Sequence, residues 1–238
     1  MKACQVLHLG IVEYGEAYRF QENLLTARQL NLVADTLVLL QHPPVFTIGR
    51  AGSARNVLAP EWLLEQEGID VFESNRGGDV TYHGPGQLVV YPILRLADHG
   101  DDVHRYVRMV EETAIVLLAQ YGIETGRIKE YPGVWAGPAK IAAVGIAIKG
   151  GVTMHGLAIN VDPNLAHFAM INPCGLGRPV TSMRQVLGWA PEVREVQMRY
   201  VECFAQVFGV ETTERFLESV GEYDQEIATL VDSAGAKC

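Results

Sequence analysis

The chain has 238 residues, 48% of them apolar, and a formal net charge of −9 at neutral pH. That length and apolar content suffice for a hydrophobic core without covalent staples, and the acidic balance disfavours broad nucleic-acid binding, which needs a cationic surface to displace counterions. The longest apolar runs, Thr36 to Leu40 and Leu88 to Leu94, fall far short of the roughly 20 residues of a membrane-spanning helix, so no membrane association is expected.

The N-terminal stretch MKACQVLHLGIVEYGE carries no cleavage signature and reads as a first strand, with a cytoplasmic location expected. From Glu13 to Asn31 the apolar residues Ala17, Phe20, Leu24, Ala27 and Leu30 recur at helical spacing. Asp35 to Gln41 and Val45 to Ile48 read as strands separated by His42-Pro43-Pro44. Pro60 opens a short helix that runs to Glu67 and stops at Gly68. Strands are expected at Val71 to Phe72, Val80 to Tyr82 and Gln87 to Leu94, the last two joined by a tight His83-Gly84-Pro85-Gly86 connection. Asp101 and Asp102 offer caps for a long helix that ends before Gly122. Further helices are predicted from Pro191 to Phe208 and from Glu211 to Val220. The expected architecture is α+β, a mixed and largely antiparallel sheet system flanked by helices, with one domain over residues 1–220 and a tail over residues 221–238.

The segment KIAAVGIAIKGGVTMHGLAINV is two apolar runs around Gly150-Gly151, a pair suited to the positive φ angles of a two-residue hairpin turn. Such a turn sets Lys149 opposite Val152, Gly145 opposite Gly156, Val144 opposite Leu157 and Ala143 opposite Ala158. One face of the hairpin is then bulky and the other nearly bare backbone. A bare face serves either the close approach of another element, such as a helix, or a ligand chain lying along the strands.

Cys174 sits in a loop, between Pro173 and Gly175, unlike Cys4 and Cys203 in regular elements. None of these, nor Cys238, has the paired spacing of a disulfide framework or a zinc site, and no metal is expected. A thiol acts as a nucleophile only as thiolate, which at neutral pH needs a neighbouring cation or base. His83, His155 and Lys140 are the candidates. Strict alternation places Lys140 on the face opposite Ala143, so its side chain reaches the bare side only if the strand begins irregularly. Arg76, Asp79, Tyr82 and His83 share a glycine-softened segment beside apolar strands, which is the layout of a pocket with few polar anchors.

Taken in order, RGGDVTYHGPGQLVVYPI, AKIAAVGIAI, HGLAINV and NPCGLGRPVTSM resemble the lipoyl(octanoyl) transferases, relatives in fold of the lipoate and biotin protein ligases. The resemblance runs from about Gln41 to Met183. It implies a catalytic domain that moves an octanoyl or lipoyl group from the phosphopantetheine thioester of acyl carrier protein to a lysine of lipoyl domains, in 2-oxoacid dehydrogenases or the glycine-cleavage H protein. No cofactor is implied beyond the phosphopantetheine carried by the donor. By the same resemblance Cys174 is the acyl-thioester nucleophile and Lys140 the residue that lowers its pKa. Arg76, Gly77, Gly78, Asp79, Val80, Thr81, Tyr82 and His83 match substrate-binding positions, as do Ala143, Val144, Gly145, Gly156, Leu157 and Ala158. An ATP-dependent lipoate or biotin ligase, a cysteine hydrolase using His83 or His155, and a non-catalytic lipoyl-domain binder are the competing possibilities.

Overall fold

The computed structural model describes residues 2–172 and 178–235; Cys174 and Cys238 lie outside them. The chain enters through strand β1 (Lys2–Ile11), helix α1 (Tyr14–Gln29) and strands β2 (Asp35–Gln41) and β3 (Val45–Ile48), the β-α-β-β order that the periodicity predicts. Next come α2 (Glu61–Glu67), β4 (Asp70–Glu73), β5 (Val80–His83) and β6 (Gln87–Ile93). Helix α3 (Val103–Gln120) starts at Asp102, whose carboxylate accepts from the backbone of His104 and Arg105, satisfying donors that have no partner within the helix.

Strands β7 (Gly126–Ile128), β8 (Tyr131–Ala136), β9 (Ala139–Lys149) and β10 (Val152–Asn160) follow, then α4 (Met183–Leu187), α5 (Val193–Phe208), β11 (Val210–Phe216) and α6 (Val220–Gly235). Eight strands form one mixed sheet in the order β11-β1-β2-β6-β10-β9-β8-β7, and β4-β3-β5 form a second. Among the strands of the described residues, β1 with its two neighbours and β3 with β4 pair in parallel and the rest antiparallel. Buried residues of α3 and α5 pack with Leu37, Leu88, Leu157 and Ile159 of the large sheet. Those of α1 and α6 pack with Val38, Val89, Met154 and Ala158, so helices cover both faces.

Three expectations fail for tertiary reasons. His83 to Gly86 does not close a hairpin, because β5 belongs to the small sheet and β6 to the large one. The turn instead seats Gly86 against the end of β10, where the Gly86 carbonyl accepts from the backbone of Val161 and Asp162. The predicted helix at Glu211 to Val220 is in its first part strand β11, since the exposed edge of β1 offers a full row of backbone partners from Lys2 to His8. Most of the expected tail is α6, which buries Val220, Tyr223 and Ile227 against α1 and the sheet.

The Gly150-Gly151 hairpin forms as predicted, at φ +57° and +77°, with Gly145 opposite Gly156, Ala143 opposite Ala158 and Val144 opposite Leu157. Its other neighbour, β6, contains Pro92, a residue without an N–H in the middle of a sheet. In the register that pairs Leu157 with Val90 and Val152 with Arg95, Pro92 falls opposite His155. The backbone of His155 leaves the strand conformation there, at φ +56°. Its amide donates to Gln21 Oε1 of α1 at 2.7 Å, and the Thr153 hydroxyl supplies a donor to the Pro92 carbonyl at 2.7 Å.

Candidate active site

Between the two sheets lies a cavity of about 680 Å³, within the range of small-molecule sites. Arg76, Gly77, Gly78, Asp79, Val80, Thr81 and His83 line it, together with Lys140, Ala143, Val144, Gly145, Gly156, Leu157 and Ala158. Tyr82 does not. It turns into the core of the small sheet against Phe46, His167 and Phe168, as alternation along β5 dictates once Thr81 and His83 face the cavity.

The loop from Arg76 to Asp79 is held on both sides. The carbonyls of Asp79, Arg76 and Gly78 accept from the backbone of Gly49, Arg50 and Ala51, and the Gly77 amide donates to the Ile146 carbonyl at 2.8 Å. That carbonyl is available because β8 pairs only with the first residues of β9. A Cβ on Gly145 would meet the Gly77 carbonyl at 3.0 Å and Arg76 Cδ at 3.2 Å. At Gly145 the bare face of the hairpin therefore serves close approach by this loop, while Ala158 on the same face packs in the cluster shared with helices α1 and α6, and the remaining open space is the cavity. Arg76 is buried, donating from Nε to Thr47 Oγ1 at 3.0 Å and from Nη2 to the Thr47 carbonyl at 2.5 Å. Burial lowers its pKa from the usual arginine value, opposed by the nearby Tyr14, Tyr91 and Asp79. Asp79 accepts from Asn56 Nδ2 at 2.7 and 2.8 Å and from the Val80 amide.

Lys140 reaches the cavity through the irregularity that alternation requires. Val134 pairs with Ala142 but Trp135 pairs with Lys140, so Ile141 is an extra residue on β9 that offsets the alternation before it. Lys140 Nζ lies 4.9 Å from the centre of the Trp135 ring. Gly133, at φ +125°, lets the lysine stem pass, since a Cβ there would meet Lys140 Cε at 3.3 Å. The Lys140 backbone is bonded to the segment after Cys174, its amide donating to the Pro179 carbonyl and its carbonyl accepting from Thr181, both at 2.9 Å. Cys174 lies outside the described residues, and the described residues on either side, Asn172 and Arg178, both line the cavity.

The two candidate histidines are buried and neutral. Burial, followed by the repulsion of His42, takes His83 down to about 3. Burial, followed by Arg76, takes His155 down to about 3, and burial takes His42 down to about 4. None of the three supplies an imidazolium for a thiolate at neutral pH. In the unfolded chain the same rings protonate near 6.5. The unfolded state thus binds more protons between about pH 6.5 and 3, so the fold loses stability as pH falls through that window and loses nothing from these groups above it. The expected cost is on the order of 1–2 kcal/mol per histidine at pH 5. Thermal melts at pH 7.5 and 5 should show a marked drop, smaller in His155→Asn, whose asparagine tolerates the left-handed backbone; a flat melting temperature would contradict the buried neutral state.

A model of the lipoyl protein ligase A/B catalytic domain matches residues 13–205. The chain belongs to that family. Within it, an octanoyltransferase of Desulforamulus reducens is 47% identical over 87% of this chain and 91% of its own length. One of Caldicellulosiruptor saccharolyticus is 51% identical over 86% and 88%. The chain thus falls among the family's octanoyltransferases. The bipartite lipoate protein ligase of Thermoplasma acidophilum superposes at a TM-score of 0.77 over 96% of this chain and 91% of that one, at 15% identity, a likeness of fold.

Cavity residues that the sequence reading did not single out include Tyr14, Tyr91, Trp135, Asn160, Phe168 and Arg178. Tyr131 and Trp135 stand in the glycine- and proline-bearing stretch EYPGVWAG, where aromatics are a signal of a binding wall. Arg178 stacks on Tyr131 at 4.3 Å and lies over Trp135 at 5.6 Å. The others come from elements distant in sequence and carry no local signal.

Proposed function

We propose that the chain transfers an octanoyl group from the phosphopantetheine thioester of acyl carrier protein to a lysine of lipoyl domains, through a thioester on Cys174, with Lys140 as the cation that favours the thiolate. The acceptors are lipoyl domains of 2-oxoacid dehydrogenases and the glycine-cleavage H protein, and the reaction takes place in the cytoplasm. The observation that carries this is Lys140, which enters the cavity beside the residues flanking Cys174 and is tied through its backbone to Pro179 and Thr181.

The Cys174 thiolate attacks the thioester carbonyl, a new C–S bond forms, the C–S bond to pantetheine breaks, and the pantetheine sulfur leaves as a thiolate that takes a proton from water. The acceptor lysine, as a neutral amine, then attacks the acyl-enzyme. Its nitrogen bonds to the carbonyl carbon, the C–S bond to Cys174 breaks, and the proton lost from nitrogen ends on sulfur. The acyl chain lies against Gly145, Ala143 and Ala158, and its burial contributes about 0.8 kcal/mol per methylene. Among the competitors, a cysteine–histidine hydrolase is less favoured, because burial lowers His83 and His155 to about 3 and makes both weak bases for a thiol.

Intact-mass measurement after incubation with octanoyl carrier protein should show one octanoyl adduct on the wild type and none on Cys174→Ser. An adduct retained by Cys174→Ser, or ATP–pyrophosphate exchange in place of an adduct, would overturn the assignment.

A further inference from the structure

We infer that His83 is an acceptor-positioning residue: its Nε2 accepts a hydrogen bond from the lysine amine in the second half of the reaction. The inference rests on the acyl-enzyme reading above and adds to it a residue specific to the transfer step. His83 Nδ1 lies 2.7 Å from Gln87 Oε1. Gln87 donates from Nε2 to the Tyr82 carbonyl and to Asn160 Oδ1, and Asn160 donates from Nδ2 to the Thr181 carbonyl. Two backbone carbonyls, which only accept, therefore orient both amides. They leave Gln87 Oε1 as the acceptor for His83, so the proton sits on Nδ1 and the lone pair on Nε2.

That Nε2 has no partner among the described residues, and His83 lines the cavity. The ring is held in place by its stack on Tyr14, with centroids 6.0 Å apart and planes 12° from parallel. Through Gln87, Asn160 and Thr181 the same network reaches the carbonyl of Lys140. The lone pair thus has a fixed place relative to the Lys140 backbone.

An open acceptor in a cavity selects a donor. The acyl chain and the thioester carry no N–H or O–H, whereas the neutral lysine amine carries two N–H bonds and has to aim its lone pair at the carbonyl. Charge points the same way. Arg76, Lys140 and Arg178 line the cavity against the carboxylates of Asp79 and Glu130, so a neutral acceptor admits a further basic nitrogen where an imidazolium would repel it. The amide N–H and hydroxyl groups of a pantetheine arm are the other donors brought to this space, and they are present only during loading.

The test separates the two half-reactions. Wild type, His83→Leu and His83→Gln are loaded with octanoyl carrier protein and, in a second measurement, the loaded enzymes are mixed with a lipoyl domain in single turnover. Both variants lose the bond to Gln87, but glutamine restores an acceptor near the Nε2 position. His83→Leu should slow transfer roughly three- to tenfold beyond any slowing of loading, as expected for one hydrogen bond to a neutral amine, and His83→Gln should recover most of that loss. Equal loss in both steps, loss confined to loading, or a glutamine variant no better than leucine overturns the assignment of His83. Failure of the wild type to load at all overturns the acyl-enzyme reading and this inference with it.

Discussion

Replacing Lys140 by methionine is expected to slow octanoyl loading at pH 7 by roughly ten- to thirtyfold, because a thiol with its ordinary pKa near 8.5 is only a few per cent thiolate there. Methionine keeps the length that packs over Gly133 and Trp135, so folding is expected to survive. The pH profile identifies the cause. With the cation gone, the loading rate should rise about tenfold per pH unit up to the thiol's own pKa, while the wild type is already on its plateau. Stopped-flow loading from pH 6 to 9.5 measures this. A variant slowed equally at every pH would show that Lys140 acts on something other than the ionisation of Cys174.

Gly156→Val should fail to fold stably, and Gly145→Val should not behave like it. A Cβ on Gly156 would come within 2.3 Å of the Val90 carbonyl oxygen and 2.6 Å of Pro92 Cδ, both parts of the neighbouring central strand. Overpacking against backbone costs about 3 kcal/mol or more, which should appear as loss of soluble protein or a large drop in melting temperature. Gly145 faces the Arg76–Gly77 loop at 3.0–3.2 Å. A valine there displaces the cavity wall, so the expected result is a folded protein with a preference for shorter acyl donors. Equal stability of Gly156→Val and wild type would mean that β6 and β10 do not meet as closely as described, and an unchanged chain-length preference in Gly145→Val would remove that face from the acyl site.

The contrast between these glycines shows what was legible beforehand. Pairing of Gly145 with Gly156 followed from the turn at Gly150-Gly151, because a two-residue hairpin fixes its own register. What each bare position faces did not follow. For Gly156 it is decided by Pro92, whose missing N–H lies opposite His155 and goes with a left-handed residue in the middle of β10. For Gly145 it is decided by a loop nearly 70 residues earlier in the chain, at Gly77.

The candidate site divides in the same way. Residues 76–83 and the hairpin positions 143–145 and 156–158 were recognisable as blocks, and all of these but Tyr82 line the cavity. The side of the strand on which Lys140 emerges depended on the extra residue Ile141, an irregularity visible only in the pairing with β8. The neutrality of His83 and His155 depended on burial, which no local pattern states.

By itself the sequence determined the order of elements as far as β3, the capped helix α3, the hairpin register and the chemical types of most residues that line the cavity, because caps, turns and periodicity act within a few residues. Tertiary structure alone decided that residues 210–216 form a strand on the edge of β1, that Tyr82 turns inward, that Lys140 turns toward the cavity and that Nδ1 of His83 is held by Gln87. Each of these outcomes is set by a hydrogen-bond partner or a desolvating neighbour supplied by another part of the chain, and such partners exist only once the chain has folded.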